Sequence, residues 1–114
     1  MKIKKLQELL SARLLAGAAR SEEDVTTAYA GDMLSDVLAL GAQPDILLTG
    51  LLNPQVIRTA EMLDTACVVF LRGKEPTEAI LDLADKCGVC VLSSPLEMFT
   101  ACGELFRQGV KGLE

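Results

Sequence analysis

The sequence has no histidine and no tryptophan, and only 4% of its 114 residues are aromatic. Without histidine the chain lacks the most common general base, the most common zinc ligand and the base of every Ser–His or Cys–His nucleophile pair. It also lacks a Walker-type phosphate-binding loop and a G-x-G-x-x-G dinucleotide fingerprint. We therefore expect a protein that is not an enzyme, with no catalytic residue, no metal site and no cofactor.

Positive charge is scarce as well, with 11 Lys and Arg residues against 16 Asp and Glu residues and a net charge of −5. Nucleic acids and anionic membranes both require a concentrated positive patch, so neither is an expected partner. The longest apolar run, Ala66–Leu71, is too short to cross a hydrocarbon layer of ~30 Å. The basic start, Met1–Leu10, is not followed by the apolar stretch and cleavage site of a secretory signal.

The four cysteines, at positions 67, 87, 90 and 102, lie inside apolar runs or helical patterns rather than in loops. This placement is typical of buried free thiols in a reducing compartment, so we expect a cytoplasmic protein. With 114 residues, half of them hydrophobic, the chain is expected to form one domain over residues 1–114. A domain of this size can build a core without disulfides or metal.

The second half of the chain repeats one pattern three times, at intervals of about 22 residues. Each repeat has a short apolar run, a turn and an amphipathic stretch; the runs are 45–50, 67–73 and 89–93, and the stretches are 55–64, 77–87 and 96–107. Apolar runs without polar alternation fit strands covered on both faces, and short links to helices require parallel pairing. The pattern predicts an α/β layered fold with a mainly parallel sheet flanked by helices.

Proline and capping residues predict where these helices begin. Pro54, Pro76 and Pro95 suit first helical turns, and Ser94 with Glu97 has the spacing of a capping box. In the less regular first half we expect an opening helix from Ile3 to Leu10, strands at 13–16 and 25–30, and a helix over 32–40.

The three turns after the apolar runs should lie together at the carboxyl edge of the sheet, where open α/β folds bind ligands. Free backbone N–H groups at helix starts favour anions. Residues in or near these turns form the candidate ligand site, together with Asp32 and Ser35 from the preceding segment: Thr49, Asn53, Arg72, Gly73, Lys74, Ser93 and Ser94. We predict a small anionic or nucleotide-like ligand here, while an empty or partner-covered edge is the alternative.

Two other interpretations stay open from the residues alone. Cys87 and Cys90 form a C-x-x-C pair, which with Cys102 could serve a redox- or metal-linked accessory protein, although Cys87 falls at a helix end. Asp32, Ser35 and Asp36 could instead surround a phosphate in a small enzyme. The simpler interpretation of the two aspartates is a helix cap with carboxylates that complement the helix dipole.

Several segments, in order along the chain, resemble the DRTGG domain family. They are Tyr29–Leu38, Ile46–Ala60, Val68–Gly73, Gly88–Leu92 and Met98–Ala101, and together they cover nearly the whole chain. The resemblance implies an α/β fold similar to the N-terminal domain of HPr kinase, which is not the catalytic half of that enzyme. It also implies a regulatory module of the kind found beside CBS-domain pyrophosphatases and phosphotransacetylases, or free-standing, and commonly homodimeric.

The signature that names this family is almost absent from the chain. Its Asp-Arg falls at Leu52-Asn53 and its Thr-Gly-Gly at Leu71-Arg72-Gly73, so that only Gly73 is kept. Any role of the missing aspartate and arginine is lost or altered here, with Arg72 as a possible replacement charge.

Taken together, the sequence predicts a non-catalytic regulatory or ligand-sensing module that acts as a homodimer, with a possible partner enzyme. A mean hydropathy of +0.33 is high for a monomer of this size. The apolar faces over 33–40 and 99–106 exceed what a small sheet can cover, and such faces usually mark interfaces.

Overall fold

The fold is described from a computed structural model that covers all 114 residues. One five-stranded sheet with the strand order β1-β5-β4-β3-β2 runs through the molecule. The strands are β1 (Arg13–Ala16), β2 (Ala28–Ala30), β3 (Ile46–Thr49), β4 (Cys67–Phe70) and β5 (Cys90–Ser93). The helices are α1 (Ile3–Leu9), α2 (Leu34–Ala39), α3 (Pro54–Met62), α4 (Glu78–Cys87) and α5 (Met98–Arg107).

The four strands β2 to β5 are parallel, and β1 joins β5 antiparallel at one edge. Every residue of β3, β4 and β5 is buried, as expected for apolar runs covered on both faces. The predicted α/β fold with a mainly parallel, helix-flanked sheet is therefore confirmed. No helix combines the length and the apolar character that crossing a bilayer requires.

Side chains alternate between two hydrophobic layers, one on each face of the sheet. Ile46 and Leu48 of β3 point into a layer shared with α1 and α5, whereas Leu47 points into a layer formed with α3 and α4. This period of two follows from the strand geometry. The two layers fix the sheet between helices, so its carboxyl edge is held in place from both sides.

The helices of the first two repeats begin where the sequence predicts, and the helix of the third repeat does not. Asn53 accepts a hydrogen bond from the Gln55 N–H at 2.8 Å, with Pro54 at the first helical position. Thr77 caps α4, and Gly88 ends it with a φ of 70°. The predicted capping box of Ser94 is wrong, because α5 begins only at Met98.

The reason lies in a contact that is distant in sequence. The Ser94 hydroxyl is buried and donates to the carbonyl of Leu10 at 2.6 Å, so it ties the end of β5 to the end of α1. Glu97 occupies the N-cap position of α5 without a side-chain capping bond.

The first half follows the prediction less closely. The strand expected over 25–30 is limited to Ala28–Ala30, and the helix expected over 32–40 is limited to Leu34–Ala39. Asp32 does not start or cap this helix, since Met33 is at the N-cap position and provides no side-chain bond. The interpretation of Asp32 as a cap of this helix is therefore wrong, whereas Asp36 does lie in its first turn.

Candidate functional site

The carboxyl ends of the four parallel strands bring polar residues to one edge of the sheet. Asp32 follows β2, Gly50 follows β3, Arg72 follows β4 and Ser94 follows β5. Because parallel strands all end on the same side, residues that are about 20 positions apart become neighbours. This edge is the candidate functional site.

Asp32 anchors the site through its carboxylate. Its Oδ1 accepts hydrogen bonds from the Gly50 N–H at 2.8 Å and from the Thr49 hydroxyl at 3.0 Å. The Gly50 hydrogen bond, aided by Thr49 and by the charges of Arg72 and Lys74, holds the pKa of Asp32 below its usual range, although partial burial opposes this. Asp32 is therefore a fixed negative charge at neutral pH.

Arg72 contributes a half-exposed cation to the edge. Its backbone has a left-handed φ of 62°, and its side chain lies across Gly50, where a Cβ would come within 2.3 Å of Nη2. The guanidinium is 3.8 Å from Asp32 Oδ2 and 3.7 Å from Glu97 Oε2, and the side chain is 45% exposed. These separations exceed hydrogen-bond length, so the guanidinium is attracted to both carboxylates without being locked to either.

Backbone and side-chain hydrogen bonds hold the loop that carries Arg72 in place. The Arg72 N–H donates to the Leu96 carbonyl at 2.9 Å, and the Gly73 N–H donates to the Ser94 carbonyl at 2.9 Å. Lys74 Nζ donates to the Gly50 carbonyl, and the Ser93 hydroxyl donates to the Lys74 carbonyl at 2.8 Å. The backbone of the loop is thus fixed by hydrogen bonds, whereas the Arg72 guanidinium makes none.

A polar groove of about 320 Å³ begins beside this loop. It contains hydroxyl, guanidinium, carboxylate and backbone groups, and its lining residues are Ser11, Arg13, Gly73, Glu75, Ser93 and Pro95. Arg13 and Glu75 form an ion pair at the groove. The groove therefore offers hydrogen-bond donors and the Arg13 guanidinium for an anionic ligand, while the Arg72 guanidinium lies on the same sheet edge over Gly50 and does not line the groove.

The predicted site residues are only partly brought together. Asp32, Thr49 and Arg72 form one connected cluster, and Gly73 lines the groove. Thr49 and Ser94 are fully buried, and their hydroxyls bond within the chain.

Two other candidates lie apart from this cluster. Asn53 caps α3, and Ser35 is exposed on α2 with no side-chain hydrogen bond. Asp36, in the first turn of the same helix, is equally exposed and also makes no side-chain hydrogen bond. No hydrogen bond links Asp32, Ser35 and Asp36 to one another, so their arrangement around a phosphate stays a prediction.

Sequence reasoning missed the residues that β1 contributes. Arg13 is paired in register with Ser93, which places Ser11 and Arg13 at the carboxyl edge of the parallel strands. This happens because β1 is antiparallel, so its start meets the ends of the other strands. The direction of a short edge strand leaves no local signal, and the polar flanks Ser11 and Arg13 were the only available hint.

The cysteines do not form the predicted pair. Cys87 packs in the layer with α3 and α4, whereas Cys90 belongs to the layer with α1 and α5 on the other face of the sheet. All four cysteines are free, and no group of three potential ligands is placed to hold a metal ion. Burial raises the pKa of Cys87 and of Cys102, so both are thiols at neutral pH.

The fold is similar to that of a crystal structure of the CBS and DRTGG domains of the regulatory region of Clostridium perfringens pyrophosphatase, complexed with its activator, diadenosine tetraphosphate. The TM-score is 0.75 at 19% sequence identity, over 91% of this chain and 45% of that chain. This chain thus spans less than half the length of the matched structure. No family model and no curated protein matches it. The chain has a DRTGG-like α/β fold, as the sequence resemblance implied.

Proposed function

We propose that residues 1–114 form a single regulatory domain that senses a small anionic or nucleotide-like ligand, acts as a homodimer and has no catalysis of its own. The observation that carries this proposal is Arg72, whose guanidinium makes no hydrogen bond and lies on the same sheet edge as a polar groove that contains Arg13. The fold shared with a regulatory region that was crystallised with a nucleotide activator supports the same function.

The electrostatics of the edge favour binding of an anion over proton transfer. A general base works best with a pKa near the operating pH, but the pKa of Asp32 is shifted away from neutrality. The chain has no histidine to take this role. Arg72 and Arg13 instead offer planar groups that suit phosphate or carboxylate oxygens.

Binding at this edge would compete with existing contacts. An anion that reaches Arg72 replaces the attraction of its guanidinium to the carboxylates of Asp32 and Glu97. These carboxylates are 3.8 Å and 3.7 Å away, so the attractions are weak. Exposed ion pairs of this kind stabilise a protein by roughly 0–1 kcal/mol, so their loss opposes binding only weakly. The side chain can therefore exchange internal partners for a ligand.

Such a module would regulate a partner enzyme according to whether its ligand is bound. Its four free cysteines fit the reducing cytoplasm. Neither alternative has comparable support. Cys87 and Cys90 face opposite layers, and no hydrogen bond joins Ser35 or Asp36 to Asp32.

A thermal-shift panel tests the ligand site. The compounds are ATP, diadenosine tetraphosphate, inorganic triphosphate and adenosine, so that phosphate and base contributions separate. A ligand that binds only the folded protein at 100 times its dissociation constant stabilises it by about 2.7 kcal/mol, which is several degrees in melting temperature.

Arg72→Met should remove this shift, and Arg58→Met is the matched control because Arg58 is exposed on α3 without an ion pair. Loss of the shift in both variants, or in neither, would show that the ligand binds elsewhere. Absence of any shift across the panel would count against an anionic or nucleotide-like ligand.

A further inference from the structure

Two buried cysteines lie side by side on neighbouring strands of the sheet. Cys67 begins β4 and Cys90 begins β5, and the two are paired in register where these strands run parallel. Their side chains belong to the same hydrophobic layer, the one shared with α1 and α5. Both residues are fully buried, and neither is in a disulfide. This pair differs from the C-x-x-C pair, because Cys87 faces the opposite layer.

The strand spacing suits a bond between the two sulfur atoms. Neighbouring strands lie about 4.8 Å apart, and residues paired in register are therefore separated by about that distance between their Cα atoms. A disulfide joins residues whose Cα atoms are roughly 4.4–6.8 Å apart and whose Cβ atoms do not point away from each other. Cys67 and Cys90 meet both conditions in the sheet as it stands.

The surroundings of the pair activate one thiol and keep the other protonated. A hydrogen bond from the Cys67 thiol and the positive charge of Arg20 hold the pKa of Cys90 below its usual range, although burial and the charge of Glu23 oppose this. The same contact with Cys90, together with burial, raises the pKa of Cys67. Because the thiolate is the reactive form of cysteine, Cys90 is the nucleophile of the pair.

Cys90 lies at the amino edge of the sheet, beside a short surface segment. The single turn Ala18–Arg20 follows β1 there, and a Cβ at Gly17 would come within 2.6 Å of the Cys90 Cα. Arg20 Nη1 donates to the Gly88 carbonyl at 2.8 Å, and the Arg20 side chain is 28% exposed. A small oxidant therefore needs only a local opening of this segment to reach Cys90, and no unfolding of the sheet.

We propose that Cys67 and Cys90 form a reversible intramolecular disulfide when the protein meets a peroxide. The Cys90 thiolate attacks one peroxide oxygen, so that an S–O bond forms, the O–O bond breaks, and hydroxide leaves and is protonated to water. Cys67 then loses its proton, and its sulfur attacks the sulfur of the Cys90 sulfenic acid. The S–S bond forms, the S–O bond breaks, and the second hydroxide leaves as water with the proton from Cys67. The two cysteines lose two electrons, and the peroxide is reduced to two waters.

The bond would join β4 to β5 at the ends opposite to the candidate ligand site. At their carboxyl ends the two strands are already tied, since the Gly73 N–H donates to the Ser94 carbonyl. A disulfide between residues 67 and 90 closes a loop that contains α4, which lowers the entropy of the unfolded chain. The oxidised protein should therefore unfold at a higher urea concentration. The disulfide requires neither the ligand nor the homodimer of the proposed function.

Mass spectrometry of the folded protein after oxidation tests the pair. The fully reduced chain, freed of reductant, is treated with hydrogen peroxide, and the remaining thiols are then alkylated. We expect a monomeric product that has lost two hydrogen atoms and still carries two alkylated cysteines. A digest without reductant should contain one pair of peptides joined through Cys67 and Cys90. Dithiothreitol should restore the original mass.

Cysteine variants separate the roles of the four thiols. The double variant Cys87→Ser/Cys102→Ser should react like wild type, because it keeps the proposed pair and changes only two partly exposed side chains. In that background Cys67→Ala should stop at a sulfenic acid on Cys90, which dimedone captures. Cys90→Ala should give little sulfenic acid, since Cys67 alone stays protonated. Circular dichroism of each variant shows whether the fold is kept.

The double variant gives the decisive comparison, because its result does not depend on substitutions in the core. Retention of both thiols in the folded double variant, under conditions that oxidise the same protein in urea, would overturn the proposal. A wild-type disulfide that joins any other pair, or oxidation of Cys90 to a sulfinic acid without a bond to Cys67, would overturn it as well. An oxidised double variant with an unchanged urea midpoint would refute the stabilising effect of the bond.

Discussion

The sheet ends differently at its two edges. At the β1 edge the chain supplies its own polar contacts: the Gly17 N–H donates to Asp85 Oδ1 at 3.2 Å, and Arg20 Nη1 donates to the Gly88 carbonyl at 2.8 Å. At the β2 edge the strand has three residues, and the Ala28 N–H donates to the Lys111 carbonyl at 2.9 Å. The exposed Phe106 lines a cavity together with Ala28 and Ala30 of this strand.

This contrast shows two ways to protect a sheet edge. Unpaired strand edges invite association, and proteins cover them with their own chain or shorten them. The β1 edge is completed within the chain by polar bonds to α4 and its C-terminal cap. The β2 edge is shortened to three residues, and the N–H groups of Ala28 and Lys111 tie its start to the C-terminal segment. The homodimer proposed above is expected to use this edge. The two edges should therefore respond to different perturbations.

A substitution that disrupts the β1 edge should lower the free energy of unfolding most. A Cβ at Gly17 would lie 2.6 Å from Cys90 Cα and 2.7 Å from the Val89 carbonyl oxygen, and φ is +73°. Gly17→Ala should lower the free energy of unfolding by about 3 kcal/mol or more, since backbone atoms cannot move aside. Urea denaturation below the dimer dissociation constant measures the loss.

Gly88→Ala provides the matched control at the same edge. Gly88 has nearly the same φ, +70°, but a Cβ there would meet no atom within 4 Å. Only conformational strain remains, so the expected loss is about 1–2 kcal/mol. Equal losses in both variants would show that the close packing of Gly17 against β5 is unimportant.

The β2 edge should instead show its effect through protein concentration. If folding is linked to dimerisation, each tenfold rise in concentration should stabilise the folded dimer by about 1.4 kcal/mol. Differential scanning calorimetry should find a melting temperature that rises with concentration in Gly88→Ala and not in Phe106→Ser. A melting temperature independent of concentration in every variant would remove the contrast between the edges.

Perturbing the carboxyl edge of the sheet should change the free energy of unfolding least, and the change should depend on pH. The pKa of Asp32 is lowered in the folded state, so its carboxylate stabilises the fold above the unfolded pKa. This contribution is lost as pH falls through the folded pKa. Because the side chain is 51% exposed, solvent screening limits it to about 1 kcal/mol or less.

Asp32→Asn should therefore be less stable than wild type at pH 7, and the two should converge below about pH 4. Asp36→Asn is the control, since Asp36 is exposed without a side-chain hydrogen bond, and its stability should change by no more than about 0.5 kcal/mol. Urea denaturation at several pH values measures both. A constant difference between Asp32→Asn and wild type across this range would contradict the assigned hydrogen bonds.

The parts of the fold that follow from local sequence were predictable. The apolar runs that became β3, β4 and β5, and the capping residues Asn53 and Thr77, act through neighbours a few positions away. Their geometry also implied a shared carboxyl edge, which places Asp32 and Arg72 together.

The remaining parts depend on contacts between distant residues. Ser94 bonds to the Leu10 carbonyl, 84 positions away, and so cannot cap α5. Asp32 bonds to the end of β3 instead of the helix that follows it. Arg13 reaches the groove because β1 runs antiparallel to its neighbour. A single sequence contains no local pattern for such long-range pairings.

The most direct test of the ligand-sensing role is a map of backbone amide chemical shifts during titration with the compound that gives the largest thermal shift. The account predicts that changes concentrate at the ends of β2, β4 and β5 and at residues 11–13, and that they vanish in Arg72→Met. Changes confined to α5 and the β2 edge, or no changes at saturating concentrations of any compound in the panel, would contradict it.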